Sequence, residues 1–453
     1  MKCYFFFALL LARRLREPIF LRPRCFFGYP IARHYRDVAY KNKHIFLITL
    51  IYFKPMKSFF LILVAGLILS VGNGFRMSLG IYVPDLLSST IFGASMIGLT
   101  YGIFNLLWGC MSPIAGAFAE QKGYVKTLIV GFIGISISFY ITSFAISPLH
   151  FLFGLGVIGG LSAGIISVPV IIGGVSKYFE DDKTRSTVTG ILMSLAATGM
   201  FIFTPIHHFL VSTFQWTVSF QIVSVFFLLF IPMSLIFLIP KPLNKNKKVY
   251  TPRKISDVIK TAFKDKSYQF LILGFFVCGL HVALISNYLP VFANIKGLES
   301  TIAATGLTLI GLFNMMGTLI SGRVSGIIKK KYVLSFIYFT RSIVIFLLLT
   351  LPTNNFIIIT FSCLIGLLWL STVPPTSGIV ANRFGTRYLS TLFGIVMVSH
   401  QCGAFVGSYV GGLVIDLYGS LDLAWIMAII ISLFSAVIHF PIVEKEKSEE
   451  VFA

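Results

Sequence analysis

Residues 186–199 read STVTGILMSLAATG, and residues 390–403 read STLFGIVMVSHQCG. The two stretches share Ser-Thr, Gly-Ile, Met and a final Gly at unchanged mutual spacing, 204 residues apart. Two more matches occur upstream in the same order, between residues 98–105 and 306–314 and between residues 168–179 and 373–384. The chain therefore contains an internal repeat whose copies are offset by 204 to 209 residues.

The composition is that of an integral membrane protein, since 56% of the residues are hydrophobic, 12% are charged and the mean hydropathy is +0.89. A helix needs about 20 mostly apolar residues to cross a bilayer. Twelve such stretches lie near residues 59–84, 94–117, 127–147, 151–175, 187–210, 216–239, 268–292, 302–321, 332–351, 356–380, 389–414 and 423–442. We predict an all-α integral membrane protein whose twelve transmembrane helices form two pseudo-symmetric six-helix bundles. Repeated membrane halves are typical of transporters.

The net charge of +21 suggests a nucleic-acid partner, but the placement of the charges excludes it. From Met56 onward there are 26 Lys and Arg, of which 22 fall in alternate loops and the C-terminal tail. The opposite loops hold only Lys296. By the positive-inside rule, this asymmetry predicts that both termini are cytoplasmic. We expect a multi-pass protein of the plasma membrane, which in a bacterium is the inner membrane.

The domain organisation follows from composition. Residues 1–55 hold 11 Lys and Arg against two acids and no complete span, and Met56 opens directly onto the first span. We expect Met56 to be the true start; the alternative is a basic arm lying on anionic lipid.

The expected order is then an N-terminal six-helix bundle at 56–240, a cytoplasmic linker at 241–267, a C-terminal six-helix bundle at 268–443 and a cytoplasmic tail at 444–453. Within the linker, Ile255, Val258, Ile259 and Ala262 share one face of a predicted surface helix.

Motifs for other chemistry are not found. The six cysteines lack metal-site or redox-motif spacing, and no Gly-x4-Gly-Lys-Ser/Thr motif for ATP occurs. We expect no metal, no cofactor and no enzymatic activity, because the histidines and few acids within the spans form no catalytic cluster. The rival from another class is a non-transporting membrane receptor or sensor, which predicts a sizeable soluble output domain.

Twelve spans in a six-plus-six repeat with a basic central linker resemble the major facilitator superfamily. The loop after the second span, residues 116–126, reads GAFAEQKGYVK and is similar to the superfamily motif Gly-x-Leu-x-Asp-Arg-x-Gly-Arg-Lys. The resemblance implies that Glu120, between Gly116 and Gly123, caps a neighbouring helix and pairs with a basic residue to gate the cytoplasmic side. The chain has Glu120 for Asp and Gln121 for Arg, and the matching loop at 322–326 lacks the acid.

Three patches resemble the monocarboxylate-transporter-like and oxalate/formate-antiporter-like branch. They are residues 74–80 (GFRMSLG), 278–283 (CGLHVA) and 369–378 (WLSTVPPTSG). Several carriers of this branch bind a carboxylate with a basic residue in the eighth or eleventh span. The corresponding residues 301–321 and 389–414 contain no Lys or Arg, so the resemblance does not extend to that cation.

Arg76 is the first candidate for substrate binding. A cation at mid-membrane costs about 2.5–3.5 kcal/mol on insertion scales, so it should face the bundle interior or an aqueous cavity. Asn73 lies three residues earlier on the same helical face, and a guanidinium fits a carboxylate in bidentate fashion. The alternatives are an ion pair with Asp85 or a snorkelling arginine. We expect Arg341, in the ninth span, to be structural or snorkelling.

The other candidates are polar residues in apolar spans. His281, Asn287 and Tyr288 lie in the seventh span, which the resemblance implies lines the cavity; His281 is either a substrate or proton ligand or a packed neutral histidine. His400 and Gln401 occupy the repeat positions of Ala196 and Ala197. Because buried polar groups need partners, this departure from symmetry marks a binding position or an interhelical hydrogen bond.

The repeat supplies two further pairs. Asn105 and Asn314 correspond, and we interpret them first as contacts between helices and second as cavity residues. Pro169 and Pro374 correspond and are expected to bend the fourth and tenth spans so that the gates can open. Gly403, Gly407 and Gly411 form a strip for close helix approach.

These features predict a secondary carrier of a small solute, most simply an organic anion such as a mono- or dicarboxylate. It would work by alternating access as a monomer in the lipid bilayer, driven by a proton or an exchanged anion. The alternatives are the receptor or sensor and a carrier of the same superfamily with a non-carboxylate substrate. No nucleic acid is expected as a partner.

Overall fold

The computed structural model describes residues 58–89, 91–179, 182–238, 255–385 and 389–444, and within these ranges every regular element is a helix. The expectations for residues 1–55, for most of the linker and for nearly all of the tail lie outside the described residues.

Eleven helices are long and apolar enough to cross a membrane, and a twelfth, Asp422–Ile438, is shorter at 17 residues. In chain order, spans 1 to 12 are Ser58–Ser88, Ala94–Lys122, Tyr124–Thr142, Pro148–Ser176, Val188–Thr213, Trp216–Leu238, Lys266–Ile295, Ser300–Val324, Lys330–Thr350, Asn355–Phe384, Thr391–Tyr418 and Asp422–Ile438. The prediction of an all-α membrane protein with twelve spans is confirmed. The linker contributes a short helix, Ile255–Phe263, which buries Val258 and Ala262 as its apolar pattern predicts.

Spans 4 and 10 are each interrupted at repeat-related positions. In span 4 the helix breaks at Ile166 and Ser167 and resumes at Val168, with Pro169 in its first turn. In span 10 the helix ends at Leu368 and resumes at Val373, with Pro374 in the first turn. Proline has no backbone N–H and its ring clashes with the carbonyl of the preceding turn. The interruptions therefore follow from the prolines that the sequence repeats.

Close helix crossings in the two halves use corresponding glycines. A Cβ built on Gly199 of span 5 would lie 2.1 Å from the carbonyl oxygen of Ser70 in span 1. A Cβ on Gly403 of span 11 would lie 1.9 Å from the carbonyl oxygen of Phe276 in span 7. Span 5 therefore packs on span 1 as span 11 packs on span 7. The internal repeat thus extends to helix packing, and the glycine strip of span 11 has the packing role expected of small residues.

A matched pair of substitutions tests this packing. Gly403→Ala should destabilise the protein by about 1–3 kcal/mol, because the added methyl group overlaps backbone atoms that cannot move aside. Gly394→Ala, in the same helix, should be neutral or stabilising by up to about 1 kcal/mol from helix propensity, since its Cβ has no neighbour within 4 Å. Thermal unfolding of the two variants in detergent measures the difference, and equal midpoints would contradict the packing argument.

Among the described residues, the two halves meet at one end of the helices and separate at the other. We call the end that carries Lys122, Lys177, Arg323 and Lys330 the basic side, and the other end, which carries Asp85, Lys296, Asp416 and Asp422, the opposite side. At the opposite side, a Cβ on Gly80 of span 1 would lie 1.9 Å from the carbonyl oxygen of Ser286 in span 7.

Spans 2 and 11 show where this contact ends. A Cβ on Gly109 would lie 2.4 Å from Gln401 Cγ, so the spans touch there. Gly116 and Gly394 lie seven residues farther toward the basic side, on the same helical faces, and a Cβ on either has no described residue within 4 Å. Among the described residues, the two halves are therefore closed at the opposite side and open toward the basic side.

Candidate functional site

Arg76 lies half-buried in span 1 and is held by neutral groups. Its Nη1 donates a hydrogen bond to Asn105 Oδ1 at 2.7 Å, and its Nη2 donates to Asn73 Oδ1 at 3.2 Å. The guanidinium carbon lies 4.5 Å from the centre of the Trp108 ring, a cation–π contact. Among the described residues no carboxylate lies within 4 Å of it, so the ion pair with Asp85 is not formed. Within the part of the chain that the structure describes, the positive charge of Arg76 therefore has no countercharge in direct contact.

The two asparagines are oriented by the backbone. Asn73 Nδ2 donates to the carbonyl oxygen of Ala196 at 3.0 Å, and Asn105 Nδ2 donates to that of Tyr101 at 2.8 Å. Because each amide nitrogen is engaged by a carbonyl, each amide oxygen is directed at the guanidinium. Arg76, Asn73, Asn105 and Trp108 form a cluster that we call the Arg76 group. Trp108 is the one member that we did not predict from the sequence. Its position three residues after Asn105, on the same helical face, is the signal that identifies it.

Gln401 of span 11 contacts span 2 one residue after Trp108, and His400 precedes it in the chain. Gln401 packs on Gly109, the residue after Trp108, and its Nε2 lies 3.2 Å from His400 Nδ1. The His400 ring lies 5.2 Å from that of Phe275 in span 7. His400 Nε2 and Gln401 Oε1 are buried and have no hydrogen-bond partner among the described residues. Gln401 thus lies at the interface with the half that carries Arg76, whereas His400 packs on span 7 of its own half.

His281 and Arg341 lie elsewhere in the C-terminal half. His281 is 1% exposed, and its Nε2 lies 3.0 Å from the carbonyl oxygen of Ala428 in span 12. Arg341 is also 1% exposed and donates from Nη2 to the carbonyl oxygens of Leu368 and Trp369. These carbonyls end the first segment of span 10, so the guanidinium caps a broken helix. Arg341 is therefore in a structural position and does not snorkel.

Asn287 and Tyr288 lie at the closed, opposite side of the interface. Asn287 Nδ2 donates to Ser408 Oγ at 2.9 Å, and the Tyr288 hydroxyl donates to the Ser408 carbonyl oxygen at 2.5 Å. A Cβ on Gly98 of span 2 would lie 2.5 Å from that hydroxyl. These two residues therefore pack where spans 2, 7 and 11 meet and do not join the Arg76 group.

The two repeat-related asparagines have different partners. Asn105 Oδ1 accepts from Arg76, whereas Asn314 Oδ1 accepts from the backbone N–H of Leu370 at 3.1 Å, within the interruption of span 10. Only the first copy of this position therefore contacts the Arg76 group.

The predicted gating loop lies on the basic side. Glu120 Oε1 is 3.8 Å from Lys177 Nζ, which follows span 4, and the two side chains are 61% and 32% exposed. Lys177 Nζ also lies 4.8 Å from the centre of the Tyr124 ring. Gly123 ends span 2 at a φ of 103°, a conformation that favours glycine. The acid of the motif is thus beside a base, in an exposed pair that contributes about 0–1 kcal/mol.

A small cavity adjoins Arg76 within the N-terminal half. Its other walls are apolar and include Phe75, Phe104, Phe139 and Phe227.

Among the described residues, no group of three or more His, Cys, Asp or Glu side chains is arranged to hold a metal ion.

Comparisons with known proteins agree with this architecture. The sequence profile of the Major Facilitator Superfamily matches residues 58–398. The chain is 23% identical over 394 residues to the uncharacterized MFS-type transporter YcxA of Bacillus subtilis, covering 83% of this chain and 93% of that protein. It is 22% identical over 370 residues to monocarboxylate transporter 12 of Mus musculus, covering 75% of each.

Solved structures show the same fold. A bacterial homolog of the human lysosomal transporter Spinster, in an inward-facing and unoccupied conformation, superposes with a TM-score of 0.68 at 14% identity, covering 85% of this chain and 96% of that one. The inward-facing and occupied form superposes with a TM-score of 0.65.

Proposed function

Because the chain belongs to the Major Facilitator Superfamily, we propose that it is a secondary carrier that moves a small organic anion, a mono- or dicarboxylate, by alternating access. The two halves, residues 56–240 and 268–443, would rock around a site centred on Arg76. The observation that carries the proposal is the positive charge of Arg76, which in the described residues is held by neutral groups.

The chemistry of Arg76 suits a carboxylate. Nη1 and Nη2 each use one N–H on an asparagine, which leaves each a second, and Nε is buried without a partner. A carboxylate can therefore accept two parallel hydrogen bonds without displacing Asn73 or Asn105. It would also neutralise a charge whose burial in the membrane interior is unfavourable.

His400 and Gln401 would contact the same substrate from the other half. Their unpartnered Nε2 and Oε1 atoms carry a desolvation cost that a polar substrate relieves. A substrate that touches Arg76 on one half and these atoms on the other would respond to the relative position of the halves. Such a site is what alternating access requires.

The positive-inside rule supports an assignment of the open side. The basic loops would be cytoplasmic, so the opening toward them would make this an inward-facing state with both termini in the cytoplasm of a plasma-membrane carrier. The Glu120–Lys177 pair would then lie at the cytoplasmic entrance, where a Cβ on Gly116 has no described residue within 4 Å. The interruptions at Pro169 and Pro374 would let spans 4 and 10 bend when that entrance closes.

Counterflow in proteoliposomes tests the function. The full-length protein is reconstituted with an unlabelled carboxylate inside, and uptake of labelled mono- and dicarboxylates is compared with uptake of their uncharged amide analogues. We expect at least one carboxylate to exchange and its amide analogue not to exchange. Exchange of neutral or cationic solutes alone would favour the non-carboxylate alternative. A complete lack of carboxylate flux, with a pH gradient and with internal exchange partners, would contradict the proposal.

A further inference from the structure

Asp416, near the end of span 11, binds the first residues of span 2. Its Oδ1 accepts a hydrogen bond from the backbone N–H of Ala94 at 2.9 Å, and its Oδ2 accepts one from the N–H of Ser95 at 2.8 Å. The two hydrogen bonds join segments more than 300 residues apart in sequence, one in each half of the protein. A single carboxylate therefore links the two halves.

Span 2 lacks a capping side chain of its own. It begins after Gly93, an N-cap residue in extended conformation without a side-chain hydrogen bond. The first N–H groups of a helix need acceptors, which an Asp, Asn, Ser or Thr at the N-cap ordinarily supplies. Asp416 supplies them from the other half, with a negative charge that the positive end of the helix dipole also favours. A Cβ on Gly93 would lie 3.3 Å from Asp416 Oδ2, so glycine leaves room for the carboxylate.

The link lies at the closed, opposite side of the protein. The neighbouring contacts between the halves include neutral backbone packings, Gly80 against Ser286, Gly98 against Ser408 and Gly412 against Ala94. Opening this side would move span 2 away from span 11, which would break both hydrogen bonds of Asp416. It would also leave the start of span 2 without these acceptors. The contact can exist only while this side is closed.

We propose that Asp416 is a positioning residue that holds the opposite side closed by capping span 2 across the two halves. The strength of this contact sets the balance between the state open toward the basic side and the state open toward the opposite side. The inference rests on the proposed alternating-access function, but not on the identity of the substrate.

Accessibility of the closed interface measures this balance. Ser286 is 4% exposed and lies in that interface. The reporter is Ser286→Cys in the full chain, in a variant whose native cysteines are replaced, labelled with a membrane-impermeant maleimide. Asp416→Ala should raise the labelling rate about fivefold to tenfold, because an N-cap contributes about 1 kcal/mol. Asp416→Asn should give a smaller increase, because it keeps one acceptor oxygen and loses the charge.

Two further variants separate the cross-half link from simple helix capping. Asp422→Ala removes an aspartate from the first turn of span 12, on the same side, that makes no side-chain hydrogen bond within the described residues; labelling should not change. Gly93→Ser combined with Asp416→Ala gives span 2 a cap of its own without joining the halves. This double variant should recover thermal stability and retain the raised labelling rate.

The results of the labelling experiment either support the proposal or overturn it. Labelling that is unchanged by Asp416→Ala, or that Gly93→Ser returns to the starting rate, would overturn the proposal and leave Asp416 as a helix cap. The assay contains no substrate, so a raised rate without carboxylate exchange in the counterflow assay would retain the role of Asp416 and reject the carboxylate assignment.

Discussion

Arg76→Gln is expected to reduce carboxylate counterflow roughly 100-fold or more, because it removes the charge and the fork that bind the anion. Glutamine keeps hydrogen-bonding capacity toward Asn73 and Asn105, so the protein should still fold. Its thermal midpoint should be equal to or above the original, since a cation no longer lies in the membrane interior. Counterflow and thermal unfolding of the same purified variant measure both effects.

Two comparisons make the Arg76 result specific. Arg76→Lys keeps the charge but loses the bidentate geometry and the stacking on Trp108, so it should retain partial activity. Lys126→Gln removes one positive charge from an exposed position on the basic side and should leave counterflow unchanged. Normal counterflow in Arg76→Gln would refute the assignment of Arg76 as the anion ligand. A lowered thermal midpoint in that variant would instead identify Arg76 as a structural residue.

Asp265→Ala is expected to destabilise the C-terminal half by about 3–5 kcal/mol, the usual cost of leaving one member of a buried ion pair without its partner. Asp265 and Arg383 form an ion pair, and they are 5% and 8% exposed. Asp265 Oδ1 also caps span 7 by accepting from the N–H of Tyr268 at 3.1 Å, and Arg383 also donates to the carbonyl oxygen of Val443. The pair therefore joins spans 7, 10 and 12 at the basic side.

Substitutions at Asp265 and Asp257 separate the contributions. Asp265→Ser keeps an oxygen that can cap span 7 but loses the ion pair, so it should remain strongly destabilised. Asp257→Ala removes an exposed carboxylate from the linker helix and should change stability by no more than about 0.5 kcal/mol. Thermal unfolding in detergent ranks the three variants. If Asp265→Ser were as stable as the unsubstituted protein, the cap and not the ion pair would be the stabilising contact.

The architecture was predictable because its signals are local. Apolar runs of sufficient length predict membrane spans, and the prolines of the repeat indicate interruptions in spans 4 and 10. The unusual charge of Arg76 in such a run marked it as a residue of interest without any structure. The departure of His400 and Gln401 from Ala196 and Ala197 marked a second position, and Gln401 contacts span 2 of the other half at Gly109.

Which residues belong to the Arg76 group was harder to predict from the sequence. Asn287 and Tyr288 lie at the closed side, and His281 packs against span 12, although all three belong to the same span. The sequence did not predict Trp108 as a member of this group, because an aromatic residue in an apolar span is ordinarily a packing residue. The hydrophobic pattern of a span does not show which of its residues belong to the Arg76 group, because a membrane helix is apolar on its lipid-facing and its buried faces alike.

The amino-acid sequence is sufficient to predict the twelve spans, their repeat, the asymmetry of the basic loops and the presence of a cation inside the membrane. Each of these depends on residues close together in the chain or on a simple count. Which side chains contact one another is visible only in the folded protein, as for Gln401 with Gly109 and for Asp416 with the start of span 2. Those contacts depend on the rotation of each helix about its axis and on the approach of segments about 300 residues apart, which close packing of both halves determines together.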